Sequence, residues 1–346
     1  MRRAKERSLR ERLTAQLLAG SRARSPLEVV TRLLAVQGQD LRGARLAVRA
    51  RSRGLSVTDL DRALTHERTV LITWVNRGTL HLVASEDYPW LHALTTPPLF
   101  TGNARRLAQE GVTRAAAERG VKTIERALAD EGPLTRLQLR DRLDKARVPT
   151  KGQALVHLLM LASLRGIAVR GPIVGKQHAY ALVRDWLGAP APVDRDIALA
   201  ELTRRYLAGH GPAGDRDLAQ WAGLPLRDAR AGLRAIATEL HEREDGLVDL
   251  AARARAARMP PPRLLGVFDP LLLGWRSREP VIGANERSII GGGLFRPFAL
   301  VDGRAAATWS LSGGKVKLEP FARLAPDAAA ALARDAKDVL RYLEEA

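Results

Sequence analysis

Gln37-Gly38-Gln39, followed by Asp40, is the stretch whose residue types are best suited to chemistry. A carboxamide carries a donor and an acceptor on one uncharged group. Two of them can therefore hold a water, a base edge or a sugar without adding charge. Residues i and i+2 diverge on a helix, but they can converge where the helix ends and the backbone reverses. Gly38, free to take a positive φ, permits that reversal. The same pair also reads as two amides capping an exposed helix terminus, since Gln is common at surfaces. Asp40 reads either as a base assisting the amides or as the N-cap of the next helix.

Basic residues surround this stretch. Arg42, Arg45, Arg49 and Arg53 recur at spacings that place them on one helical face. Such a stripe can track phosphates, or it can be a solvated face of an Arg-rich protein. Asn76-Arg77-Gly78 has the chemistry of a hairpin tip, so Arg77 can enter a groove, and His81 in the following strand can contact phosphate or pack. Lys151, Arg165, Arg170 and Lys176 suit phosphate positioning more than base reading. Arg287 and Arg296 flank Gly291-Gly292-Gly293, a run that lets backbone approach DNA closely or forms a flexible loop.

The composition agrees with a polyanionic partner. Lys and Arg total 56 against 38 Asp and Glu, a net charge of +18, which points to nucleic acid or an anionic surface. No run of about 20 apolar residues predicts a membrane span. The basic start lacks the apolar core of a secretory signal. Cys is absent, which removes disulfides, thiolate metal sites, iron–sulfur clusters and thiol nucleophiles. The His spacings match no metal motif, and no phosphate-binding loop or nucleophile elbow is present. The reading is a cofactor-free, metal-free, cytoplasmic protein directed at DNA or RNA that needs no membrane.

The elements that must position these residues follow from periodicity. A helix is predicted over residues 7–19. Ser25-Pro26 opens a second, with Leu27, Val30, Leu33, Leu34 and Gln37 at helical spacing and Gly38 as its stop. A third runs over about 41–53 and a fourth over 58–68. Val70–Val75 and Thr79–Val83 then read as a hairpin. Helices and a hairpin recur between Gly132-Pro133 and Val183, and again from Gly211-Pro212 to a short hairpin turning at Asp245-Gly246. Strands are predicted at 264–268, 281–283, 294–301, 305–311 and 315–319, and an amphipathic helix at 326–345. The fold class is mainly α with β (α+β): about three tandem winged-helix motifs, a small C-terminal β-barrel or sheet, and a terminal helix. The boundaries fall at 1–95, 96–190, 191–258 and 259–346.

Several of these motifs together resemble the AlkZ-type winged-helix DNA glycosylases and the YcaQ-like proteins grouped with them. Leu33 to Asp40 is similar to the family's Q-x-Q motif, and Asn76 to Val83 to its R-G-T-x-H strand. Gly211-Pro212, Asp217-Leu218 and Trp221 to Leu224 resemble its third winged helix, while Phe295-Arg296-Pro297, Val301 to Arg304 and Thr308-Trp309 resemble its C-terminal region. The central motif residue, usually apolar in the family, is Gly38 here. The second amide places the chain with the AlkZ side, since YcaQ-like members carry Asp there. The resemblance implies hydrolysis of the N-glycosidic bond of alkylated purines, unhooking of interstrand crosslinks included, on double-stranded DNA, by a nucleoid-associated monomer. Gln37 and Gln39 are then the catalytic pair, acting without a lyase step. The competing reading is a non-catalytic winged-helix regulator, which explains charge and repetition equally well.

Overall fold

The computed structural model describes residues 2–174, 177–189 and 192–344. They form two compact units, one built from residues 1–60 together with 199–346, the other from 61–198. The first unit thus takes both ends of the chain.

Its N-terminal part is helix α1 (Arg2–Ala15), helix α2 (Pro26–Leu33), the short strand β1 (Val36–Gln37) and helix α3 (Leu41–Arg51). Ser25 caps α2 by accepting the Glu28 N–H, and Pro26 takes the first helical position. The helix stops at Leu33, earlier than the spacing predicts. Leu34 turns the chain with a φ of 63°, and Gly38 is not among the positive-φ glycines. A non-glycine residue there costs about 1–2 kcal/mol. Leu33, Leu34 and Val36 are all fully buried, and each such side chain contributes roughly 1.5–3 kcal/mol, so burial wins. Gln37 therefore lies on a strand rather than on the last turn of a helix.

Asp40 caps α3, its Oδ1 accepting the Gly43 N–H at 2.6 Å. Gly43 lets the first turn of α3 lie against the chain at 266–267: a Cβ there would stand 2.5 Å from the Val267 carbonyl oxygen. At the far end of α3, Arg51 is fully buried. Its guanidinium grips both oxygens of Asp269 at 2.7 and 2.9 Å and donates to Gln16 Oε1 at 2.8 Å.

The second unit holds the two predicted hairpins, β2 (Val70–Val75) with β3 (Thr79–Ala84), and β5 (Ala168–Val174) with β6 (Gln177–Leu182); β4 (Leu134–Thr135) lies between them in sequence. They share one sheet in the order β3-β2-β5-β6-β4, joined where Ile72 pairs with Arg170. Helices Arg114–Glu131, Arg136–Lys145 and Ala154–Leu164 cover this sheet through Ile124, Leu139, Leu143, Leu158 and Leu159, with Trp74 and Tyr180 in the same core. Thr135 and Gln138 form a capping box that starts the middle helix.

The remainder of the first unit carries helices Asp215–Ala222 and Leu226–Ala235, then the ribbon β7 (Leu240–Glu242) and β8 (Val248–Leu250) with its turn at Asp245-Gly246. Beyond it lie β9 (Arg263–Leu265), the ribbon β10 (Ile290–Gly291) and β11 (Leu294–Phe295), and β12 (Phe298–Val301), β13 (Arg304–Ser312) and β14 (Lys315–Pro320). The sheet β14-β13-β12-β9 is antiparallel and open, so among the described residues there is no closed barrel. The strand predicted at 281–283 is instead the end of a helical turn, Glu279–Ile282, started by Pro280. The C-terminal helix Pro326–Glu344 packs Leu332 and Val339 against Leu264, Ala299, Trp309 and Leu46 of α3. No helix among the described residues is long and apolar enough to cross a membrane.

Candidate active site

Gln37 ends β1 and Asp40 begins α3, so the Gln-Gly-Gln segment is pinned at both sides by the Leu34 turn and the Asp40 cap. Gln37 is only 7 % exposed, yet its carboxamide has no hydrogen-bond partner among the described residues. Its amide atoms keep contact with solvent, so they are open to a water or a ligand. Gly38 is buried, whereas Gln39 and Asp40 are exposed. The Asp40 carboxylate is engaged by the backbone of its own helix, which favours the capping role over that of a base.

The arginine stripe divides. Arg42 is exposed, Arg45 is half-buried and engaged with a neighbour, and Arg53 lies beyond the end of α3 and is exposed. Arg49 is not a phosphate contact. It is buried, donates to Asp335 and Asp338 and to the Leu264 carbonyl at 2.7–3.1 Å, and ties α3 to the C-terminal helix. Arg287 and Arg296 are both exposed on either side of the β10–β11 ribbon. The glycine run between them is a tight turn rather than a slack loop. Gly292 and Gly293 have φ of 57° and 79°, the geometry of a two-residue hairpin turn that glycine alone adopts without strain. Leu294, which follows, is 69 % exposed.

In the second unit, Asn76 and Gly78 take positive φ at the β2–β3 tip. Arg77 is half-buried and already engaged with a neighbour. His81 does not supply a cation for phosphate. Burial first, and repulsion from Arg77 second, push its pKa down to about 3, and Nδ1 lies 2.9 Å from the Thr79 carbonyl. Lys151 is exposed. Arg170 is half-buried, with its guanidinium 5.7 Å from the Tyr180 ring centre. Lys176 lies outside the described residues. Asn76, which sequence reasoning passed over as turn chemistry, is fully buried with both amide atoms unpaired among the described residues. Among the described residues, no group of three or more His, Asp or Glu side chains is placed to hold a metal ion.

Comparison with known proteins places the chain. A family model described as DNA glycosylase AlkZ-like matches residues 30–342. The solved structure of the Streptomyces sahachiroi DNA glycosylase AlkZ superposes with a TM-score of 0.79, covering 97 % of this chain and 96 % of that one at 24 % identity. That similarity shows a shared fold. No curated protein sequence matches.

Proposed function

The chain belongs to the AlkZ-like DNA glycosylase family, and from that premise we propose that it hydrolyses the N-glycosidic bond of alkylated purines in duplex DNA, N7-alkylguanine foremost, with Gln37 and Gln39 as its catalytic pair. A non-catalytic regulator is not favoured by that membership. The observation that carries the pair is the nearly buried Gln37, whose carboxamide makes no hydrogen bond among the described residues, with a second, exposed amide two positions on. Gln37 ends β1 and Gln39 lies in the bend that follows, so the two amides sit on one short segment between β1 and α3.

An N7-alkylated purine already carries positive charge and leaves as a neutral base, so strong acid catalysis is unnecessary. One Gln carbonyl accepts a hydrogen bond from a water and aims its oxygen at C1′. The other amide sets its dipole against the oxocarbenium-like sugar. The C1′–N bond breaks with its electron pair going to the base, and the water proton leaves to solvent. A carboxamide is a poor base, so positioning dominates.

No Lys occurs between Lys5 and Lys122, which supports a monofunctional enzyme that forms no Schiff base. The helices and hairpins of 1–95, 96–190 and 191–258 are read as three winged helices ahead of 259–346. They form a scaffold that acts as a monomer in the cytoplasm and accepts bulky adducts, interstrand crosslinks included. The test is incubation with a duplex bearing N7-methylguanine and, separately, an N7-linked crosslink. Expected are alkali-labile sites and unhooked strands, with no borohydride-trapped protein–DNA adduct. Intact duplexes after incubation with active-site-competent protein would overturn the reading.

A further inference from the structure

A cavity of about 470 Å³ opens within the first unit at the C-terminal end of α3, the end away from Gln37 and Gln39. Six arginines and only two aspartates line it. The aspartates are already committed. Asp335 accepts from Arg49 and from the Leu264 N–H, and Asp338 accepts from Arg49 and Arg341. The other four guanidiniums have no carboxylate partner among the described residues. Arg22 and Arg263 share a single acceptor, the Ala50 carbonyl, at 3.3 and 2.6 Å, and each keeps a buried Nε–H with no acceptor. Arg53 and Arg334 stand exposed at the rim.

Arg263 is buried and Arg22 half-buried, and two cations sharing one carbonyl is a costly arrangement that attraction to Asp335 offsets only in part. Burial, then repulsion from Arg22, holds the Arg263 pKa down to about 10. The four side chains come from four separate places in the chain: the segment before α2, the end of α3, β9 and the C-terminal helix. All four line the one space. Four guanidiniums without a carboxylate partner are an excess of charge that a multiply charged oxyanion offsets better than a singly charged carboxylate. The volume is that of a small-ligand pocket and exceeds what a single bare anion fills.

We propose that this cavity is a binding site for a phosphate oxyanion, separate from the Gln-Gly-Gln segment. The anion is either a free phosphate-bearing small molecule or a phosphate of the DNA backbone.

The probe is inorganic phosphate, titrated calorimetrically into the full chain at constant ionic strength, with acetate as the carboxylate control. Saturable phosphate binding is expected, absent with acetate and weakened about tenfold in Arg22→Gln, one charge-assisted contact being lost. Arg334→Gln, at an exposed rim position that folding does not require, should weaken it in the same direction. A lesion-free duplex is then bound with and without saturating phosphate. Competition assigns the site to the DNA backbone, and independence assigns it to a free phosphate; both uphold the site. Phosphate binding that is absent, matched by acetate, or unchanged in both variants would overturn it.

Discussion

Arg51 and Asp269 show how much of the positive charge in this chain is structural. Both are fully buried, and they meet through two hydrogen bonds with Gln16 completing the set. Replacing a buried pair by apolar residues can be neutral, but removing one member strands the other charge. Asp269→Ala should therefore lower stability by about 3–5 kcal/mol in urea unfolding. A loss within roughly 0.5 kcal/mol, the surface-substitution range, would contradict that role. His81 gives a second test at this scale. Its folded pKa is about 3, against about 6.5 in an unfolded chain. Between those values the unfolded state binds a proton that the folded state excludes. Stability is thus full above about pH 6.5 and is lost as the pH falls toward 3. On going from about pH 7.5 to about pH 5.5, the wild type should lose about 1.4 kcal/mol more than His81→Asn. Equal losses would show that the imidazole is not excluded from protonation.

Helix α3 links the fold to the proposed chemistry. Its cap follows Gln39 directly, and its first turn rests on residues 266–267 through Gly43. Ala in place of Gly inside a helix normally stabilises by about 1 kcal/mol. Here the added Cβ would meet the Val267 carbonyl at 2.5 Å, and overpacking costs about 1–3 kcal/mol. Gly43→Ala is therefore expected to lower the melting temperature and, by moving the start of α3, to slow base release. A raised melting temperature would contradict the close packing. The same helix shows what a sequence can and cannot reveal. The Ser25-Pro26 start and the Asp40 cap were legible because capping is local chemistry. The early stop at Leu34 was not, because a strained φ on a Leu is offset by burial that no local pattern encodes. Nor was the role of Arg49: helical spacing says which side chains share a face, not that Asp335 and Asp338, far along the chain, will cover it.

At the scale of the whole molecule, the hairpins at β2–β3 and β5–β6 were readable from alternation and turn residues. Their union into one sheet through Ile72 and Arg170 was not, since it pairs residues remote in sequence. The Gln pair was visible as unusual chemistry, but the setting of Gln37 on a strand was not. The charge of +18 predicts salt-sensitive DNA binding. If the exposed Arg42, Arg53, Lys151, Arg287 and Arg296 each neutralise one phosphate, log K should fall against log salt with a slope of about −4.5. A slope near zero would remove them from the interface.

The most direct measurement is single-turnover base release from an N7-methylguanine duplex by the wild type, Gln37→Ala and Gln39→Ala, with duplex binding followed in parallel. Loss of preorganised dipoles should slow release by about 10²–10³-fold in either variant while binding stays within about twofold, since neither amide carries charge for the phosphates. Release at the wild-type rate by both variants would contradict a mechanism built on these two carboxamides.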